Sequence, residues 1–310
     1  MKIIIGNKQG YKINGSMKFF KYVSTGPDYT EPFYVENTTN STQTVSIKKS
    51  NSNPPTISVE YSTDRNTWNT LGSTSTTALT FTLPAGSKIY LRASTSRWGT
   101  YWTNYTNITG MSKVGGNVMS LLYGANFTGK EVTFPSNSNY AFEQLFYQNT
   151  VLTDAGSLLL PATTLVQGCY GDMFNSCTNL AKAPALPALT VVEQCYSGMF
   201  YSTSLVVAPE LPATNVEARY YQFMFQNCSK LTTVPLISAK SVGDEGARSM
   251  FSGCSKLNYI KCLTESNLTS NGLNDWVNRV AASGTFVKKA GVTWPTGANG
   301  IPNGWTVVEE

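Results

Sequence analysis

The sequence predicts an α+β multidomain protein: an N-terminal all-β sandwich followed by a repeat solenoid with a small α/β C-terminal cap. Two observations predict it. Runs such as Gln43 to Lys48, Thr56 to Tyr61 and Leu79 to Leu83 alternate apolar and polar residues between turn-forming stretches, the pattern of strands with one buried and one wet face. Later, a Met-Phe pair returns at Met173-Phe174, Met199-Phe200, Met224-Phe225 and Met250-Phe251, in steps of 26, 25 and 26 residues. Leu160-Pro161, Leu186-Pro187 and Leu211-Pro212 keep the same beat, each Leu 13 residues ahead of its Met. A period in the twenties marks units that cannot bury an apolar face alone and stack on copies of themselves.

Residues 1–25 read as a strand-rich lead-in or docking segment, with two or three short strands around Ile3-Ile4-Ile5, Tyr11 to Ile13 and Met17 to Val23. Residues 26–120 read as the sandwich, with strands at Phe33 to Glu36, Gln43 to Lys48, Thr56 to Tyr61, Leu79 to Leu83 and Lys88 to Arg92, and a pair near Tyr105 to Ile108 and Asn117 to Leu121. Asp64-Arg65-Asn66 supplies turn chemistry for a hairpin that returns Trp68 to the core. Residues 121–263 read as the solenoid, opened by an irregular capping unit and a degenerate copy in which Leu145 takes the Met slot. In the clearest unit Leu165, Cys169, Phe174, Cys177 and Leu180 fall at roughly helical spacing, so short helical turns are expected on one side. Apolar stretches such as Leu205 to Ala208 and Leu231 to Val234 are expected as strands on the other, stopped by Pro184, Pro209 and Pro235. Residues 264–310 read as the cap: a helix over Asn271 to Val280, a strand over Gly284 to Lys288, and a last strand after Trp305.

Composition narrows the function. Charged residues make up only 13% of the 310, about half the usual share, and the non-repeat half is crowded with Ser, Thr, Asn and Gly. Such polarity suits an extracellular or virion surface. The net charge of +5 is dispersed, so neither nucleic acid nor an anionic membrane is an expected partner. Three consecutive apolar residues near the N-terminus fall short of the ~7 to 15 of a leader, and no run reaches the ~18 of a membrane span. Cys177, Cys228 and Cys254 each follow a repeat Met by four residues, while Cys169 and Cys195 each precede one by four. Thr203 fills the matching slot of the second unit, which favours stacked reduced thiols over disulfide bridges. The absence of His removes Ser-His-Asp and Cys-His catalysis and most metal chemistry, and no cofactor motif is present.

The phrase Leu-Pro-Ala-Thr-Thr-Leu followed by Cys-Tyr-x-x-Met-Phe-x-x-Cys-Thr-x-Leu over residues 160–180 resembles the BspA-like leucine-rich repeat proteins of Bacteroidota and their phages. The likeness covers about residues 120–263. Flanking pieces resemble segments that accompany such arrays: Tyr61-Ser-Thr-Asp-x-x-x-Trp68, Ala85-Gly86-x-Lys-Ile-Tyr-Leu-Arg92, Gly116-Asn-Val-Met-Ser-Leu121 and Gly300-Ile-Pro-x-Gly-Trp-Thr306. The third and fourth units depart from the pattern by lacking the first Cys. The resemblance implies binding or adhesion at a surface, not a reaction.

Two aromatic groups are the candidate ligand-binding residues. Tyr170, Tyr196 and Tyr221 each lie three before a repeat Met, so stacking aligns them in a column at roughly the ~5 Å inter-strand spacing. Such a column either offers ring faces and hydroxyls to a ligand or packs one unit on the next. Trp98, Tyr101, Trp102 and Tyr105 crowd one loop, either as a binding patch or as a plug at the end of the sandwich or at its junction with the solenoid. No carboxylate pair is placed for catalysis; Glu60 with Asp64, and Glu193 with Asp244, read as structural or solvated. The expected function is a non-enzymatic virion-associated binding protein of a Bacteroidota phage, a tail or capsid appendage that meets the host surface. Its expected partners are other virion structural proteins and a cell-surface protein or glycan, with a homo-oligomer left open. The alternatives are a bacterial surface or secreted BspA-like adhesin and, third, a carbohydrate-active enzyme built on the repeats.

Overall fold

Alternating apolar residues build the first half of the molecule, and a computed structural model describes residues 2–5, 8–13, 16–21, 27–101, 103–130, 132–214, 218–266, 268–269 and 271–310 of the chain. Strands β1 (Lys2–Ile5), β2 (Lys8–Ile13) and β3 (Ser16–Lys21) pair antiparallel in that order. Nine strands follow: β4 (Tyr34–Glu36), β5 (Gln43–Lys49), β6 (Ser58–Ser62), β7 (Asn69–Ser73), β8 (Leu79–Leu83), β9 (Lys88–Ala93), β10 (Gly99–Tyr101), β11 (Asn104–Thr109) and β12 (Lys113–Asn117). One sheet runs β10-β11-β5-β8, and the other places β12, β4, β9, β6 and β7 side by side. Val45 and Ile47 of the first sheet and Val35, Val59 and Leu91 of the second are all buried in one core, because the period-two pattern turns every second side chain inward. The alternation on β5 is complete, with Gln43, Val45, Ile47 and Lys49 inward.

Two local expectations are corrected in this half. Residues 117–121 do not form a strand; β12 ends at Asn117, and Ser120–Tyr123 form α1, the only α-helix among the described residues. Asn117 Oδ1 accepts the Met119 N–H at 3.0 Å, which turns the chain away from the ladder. Trp68 does not return to the core but lies half-buried beneath the Arg92 guanidinium, 4.0 Å from its ring centre. Strand β7, although its sequence Asn-Thr-Leu-Gly-Ser lacks clear alternation, pairs antiparallel with β6 from Ser58 opposite Ser73 to Tyr61 opposite Asn69, as the expected hairpin requires.

The expected fold class is also corrected. Among the described residues the chain is nearly all-β, with 28% strand and 3% helix in several sheets, so the expected α+β class, the repeat solenoid and the helical cap are not supported. Residues 271–279 are turns rather than a helix, and among the described residues the units carrying the Met-Phe pairs hold no helix either. Each Met slot instead sits in consecutive tight turns. Within a turn, an N–H bonds the carbonyl three residues back, as in Met199 to Tyr196 (3.2 Å) and Met224 to Tyr221 (3.1 Å). The following N–H leaves the turn and bonds the next unit: Phe146 to Met173, Phe174 to Met199, Phe200 to Met224 and Phe225 to Met250, each at 2.9 Å. An α-helix is excluded because every fourth residue takes a left-handed backbone conformation, for example Gln194 (φ 59°), Gly198 (φ 60°) and Ser202 (φ 54°) within one unit.

Rings fill the interior of this stack of turns. Phe146, Phe174, Phe200, Phe225 and Phe251 form a column with successive centroids 5.2, 5.5, 5.5 and 5.6 Å apart. Phe33, from the residue before β4, stacks on Phe146 at 5.9 Å, so the sandwich closes one end of the column. Ile108 of β11 donates to Leu145 O (2.7 Å) as one unit does to the next. At the other end Trp276 takes the Met slot, meets Phe251 edge-on at 5.9 Å and is itself covered by Trp294 at 5.5 Å. Cysteines reinforce the stack: Cys177 Sγ donates to Phe146 O, Cys228 Sγ to Phe200 O and Cys254 Sγ to Phe225 O, each at 3.0 Å. All six are buried free thiols, and burial pushes Cys169 and Cys177 up to about 12.

The opposite side of the stack carries the remaining strands. β13 (Asp154–Leu159) pairs parallel with β12, extending the second sheet of the sandwich into the stack. β14 (Thr233–Ile237), β15 (Tyr259–Cys262), β16 (Thr285–Lys288) and β17 (Thr306–Glu309) form a parallel sheet in that order. Pro235 was expected to stop a strand, yet it lies inside β14, at a register shift between Val234 and Ile237 where a missing N–H costs no ladder bond. No helix among the described residues is long and apolar enough to cross a membrane.

The Phe column makes a direct prediction about stability. Phe200→Ala removes a ring packed on both faces and is expected to cost ~3 to 5 kcal/mol, read as a lowered midpoint in urea unfolding. A cost under about 1 kcal/mol would show that the rings do not hold the turns together.

Candidate functional site

The left-handed residues decide which side chains leave the stack together. The residue just before each Met slot is one of them: Gln144 (φ 58°), Asp172 (φ 50°), Gly198 (φ 60°), Phe223 (φ 58°) and Ser249 (φ 50°). These residues project from one edge, and a surface cleft of about 290 Å³ opens there across four units. Tyr140 of the first of these units and Phe223 of the last line it, with Gln144, Gln194, Ser197 and Gln222 between them in the chain. Asp172 and Glu143 also line the cleft, Glu143 only 4% exposed with its Oε2 enclosed, and Thr103 borders it from the sandwich.

Glycines create much of this space. Gly168 has φ 61°, and a β-carbon there would overlap the Tyr140 ring, so the ring lies directly on the backbone of the next unit. Gly198 has φ 60°, and a β-carbon there would collide with Asp172 Oδ1. Asp172 is thereby laid over the following turn, half-buried, where Oδ1 accepts Asn175 Nδ2 at 2.8 Å. Loss of water around the Asp172 carboxyl raises its pKa above the ordinary 3.8, against the lowering effect of Asn175. Burial also raises Tyr140, with a smaller push from Glu143. The Gln144 Oε1 atom is enclosed and accepts no hydrogen bond from the described residues.

A charged strap borders the Phe223 end. Glu245 receives Arg219 Nε at 2.8 Å and Arg248 at 2.6 Å, and Arg219 also reaches Glu193 at 3.8 Å. Arg248, held by Glu245, lies 5.8 Å over the Phe223 ring and fixes its far side. Glu193 further accepts Gln167 Nε2 at 3.0 Å.

The residues singled out from the sequence fall elsewhere. Tyr170, Tyr196 and Tyr221 do form a column, with centroids 5.9 and 6.2 Å apart, but it stands inside the stack. They are 0%, 2% and 1% exposed, so they offer no ring face to a ligand, and the binding role expected for them is corrected to packing. Burial raises all three hydroxyls well above their ordinary pKa. Trp98 is likewise corrected: it is fully buried, with Nε1 donating to Leu121 O at 2.9 Å and its N–H donating to Ala141 O at 2.7 Å, and it plugs the junction between sandwich and stack. Trp102 lies outside the described residues. Tyr105 is half-buried against Tyr147 at 5.5 Å. Tyr101 is 45% exposed and meets Tyr140 edge-on at 5.1 Å, which places it beside the cleft.

The suspected carboxylates are tied into local structure. Glu60 Oε2 accepts Arg92 Nε at 2.7 Å, while Asp64 Oδ1 accepts the Asn66 and Thr67 N–H groups, which lower its pKa to about 2. Among the described residues no group of three or more Cys, Asp or Glu is placed to hold a metal. The cleft residues themselves escaped the sequence reading. Their one signal was Phe223, an aromatic in a column otherwise filled by Gln, Asp, Gly and Ser. No protein-family model, curated protein or solved structure matches this chain.

Two stability tests follow from this geometry. Because the folded-state pKa of Asp172 is raised, its contribution is full below the ordinary value of 3.8 and is lost as pH rises through the folded value. Asp172→Asn is therefore expected to be more stable than the parent at neutral pH, with the difference vanishing in acid; urea midpoints across that range read it. Gly198→Ala is expected to cost ~1 to 3 kcal/mol through backbone strain and collision with Asp172. Part of that cost should return in the Gly198→Ala, Asp172→Ala double variant, and full additivity of the two changes would refute the contact.

Proposed function

We propose that this chain is a non-enzymatic binding protein carried on the virion of a Bacteroidota phage, where the cleft along the stacked turns recognises a ligand on the host surface. The observation that carries the reading is the construction of the cleft: its walls are side chains drawn from successive turns, with aromatic residues at both extremes and amides between. Such a wall changes by substitution at half-buried left-handed positions while the Phe column beneath stays constant, which suits a protein whose ligand varies. The resemblance to BspA-like arrays and the low charge of the chain support a surface setting. A bacterial surface or secreted adhesin is the alternative setting for the same site.

A second reading, glycoside hydrolysis, has one observation in its favour. Glu143 and Asp172 both line the cleft, and Asp172 has the raised pKa that an acid catalyst needs. It requires turnover that Asp172→Asn abolishes while binding persists.

The setting is tested by mass spectrometry of purified particles, in which the chain is expected as a stoichiometric component. Its absence from every virion preparation would exclude the phage assignment. Binding is tested with the labelled protein on intact host cells: Tyr140→Ala and Phe223→Ala are each expected to lower it by about tenfold, equivalent to ~1.4 kcal/mol, with circular dichroism used to score only folded protein.

A further inference from the structure

We infer that the cleft holds an unbranched, uncharged glycan lying along the stack axis, with one sugar ring per turn unit. This rests on the cleft being the binding site, and goes beyond it by naming the class and direction of the ligand.

Spacing is the first support. Successive units are separated by 5.2 to 5.6 Å at the Phe column. One pyranose of a linear glycan advances by a similar step, so each ring meets the same kind of position in each unit. An extended peptide advances ~3.3 Å per residue and falls out of register with the units almost at once. The cleft volume of about 290 Å³ admits a short stretch rather than a long chain, near the lower bound of ~300 Å³ for ligand pockets.

Chemistry is the second support. Gln194, Ser197 and Gln222 line the cleft in adjacent units; Ser197 Oγ donates to Gln222 O at 3.3 Å and Gln222 Nε2 to Glu245 at 3.5 Å, so those two side chains meet sugar hydroxyls as acceptors, and the Gln194 amide offers both functions. The half-buried Asp172 carboxyl accepts hydroxyl hydrogens and disfavours phosphates or uronates. Arg219 and Arg248 do not counter this, since both are engaged by Glu245. Tyr140, seated on Gly168, and Phe223, backed by Arg248, supply apolar surface for the sugar C–H faces at the two ends.

The test uses the full chain and a size-graded series, disaccharide to octasaccharide, prepared by partial hydrolysis of capsular polysaccharide from cells that bind it. Calorimetry is expected to show affinity rising by about tenfold or more from disaccharide to tetrasaccharide, then levelling. Phe223→Ala and Tyr140→Ala are each expected to abolish that rise. Phe223→Asn, which suits the left-handed backbone at that position, repeats the measurement should the Ala variant fold poorly. Affinity independent of length would overturn the inference. So would cell binding that survives periodate oxidation but is lost on protease treatment, a result that leaves the host-surface reading standing with a protein ligand. Failure of the chain to bind any host cell would instead remove the host-surface reading, and this inference with it.

Discussion

The structure depends on one backbone arrangement: in the stacked turns, alternate N–H groups close a turn within the unit or cross to the next. An α-helix satisfies its donors within itself and needs neighbours only for its side chains. Here half of the donors are satisfied only if the next unit is in place, as with Phe174 to Met199 and Phe200 to Met224. A single unit would leave those groups unpaired beside a buried ring column, at a cost of ~1 to 3 kcal/mol for each. The units therefore hold one another, and each end must be closed by something else.

The closures use the same device as the units. At one end β11 offers Ile108 N–H to Leu145 O, and Phe33 joins the ring column. At the other, Trp276 occupies the Met slot, and its indole donates to Gly300 O at 2.7 Å. The sandwich is thus an end wall of the stack as well as a layer structure in its own right. Trp98, first suspected as a ligand contact, is the residue that seals that wall.

The left-handed backbone positions link fold to site. For a residue other than glycine each costs ~1 to 2 kcal/mol, and Tyr140, Gln144, Asp172, Gln194 and Phe223 all accept that cost around one cleft. Stacked rings contribute ~0.5 to 1.5 kcal/mol per pair beyond their burial, and the inter-unit hydrogen bonds add to this. The strain is sustained by the interior and expressed at the edge, where it turns side chains outward in rows. Gly168 and Gly198 relieve it where a neighbour's side chain must cross.

Much of this was legible in the amino acids. Period two in Val45 and Ile47, or Ile57 and Val59, predicts sheets whatever their order, because alternation alone decides which face is buried. The recurrence of Met-Phe and of the cysteines likewise predicts that those residues meet their own copies. The conformation of the units was not legible. Apolar residues at Cys169, Met173 and Cys177 recur every four, and a helix of 3.6 residues per turn and a chain of four-residue turns produce nearly the same pattern. Only the neighbouring unit, by accepting alternate N–H groups, selects the turns. The same choice put Tyr170, Tyr196 and Tyr221 inside and Tyr140 and Phe223 outside, since side-chain direction follows the sign of φ at each position, which residue spacing does not encode.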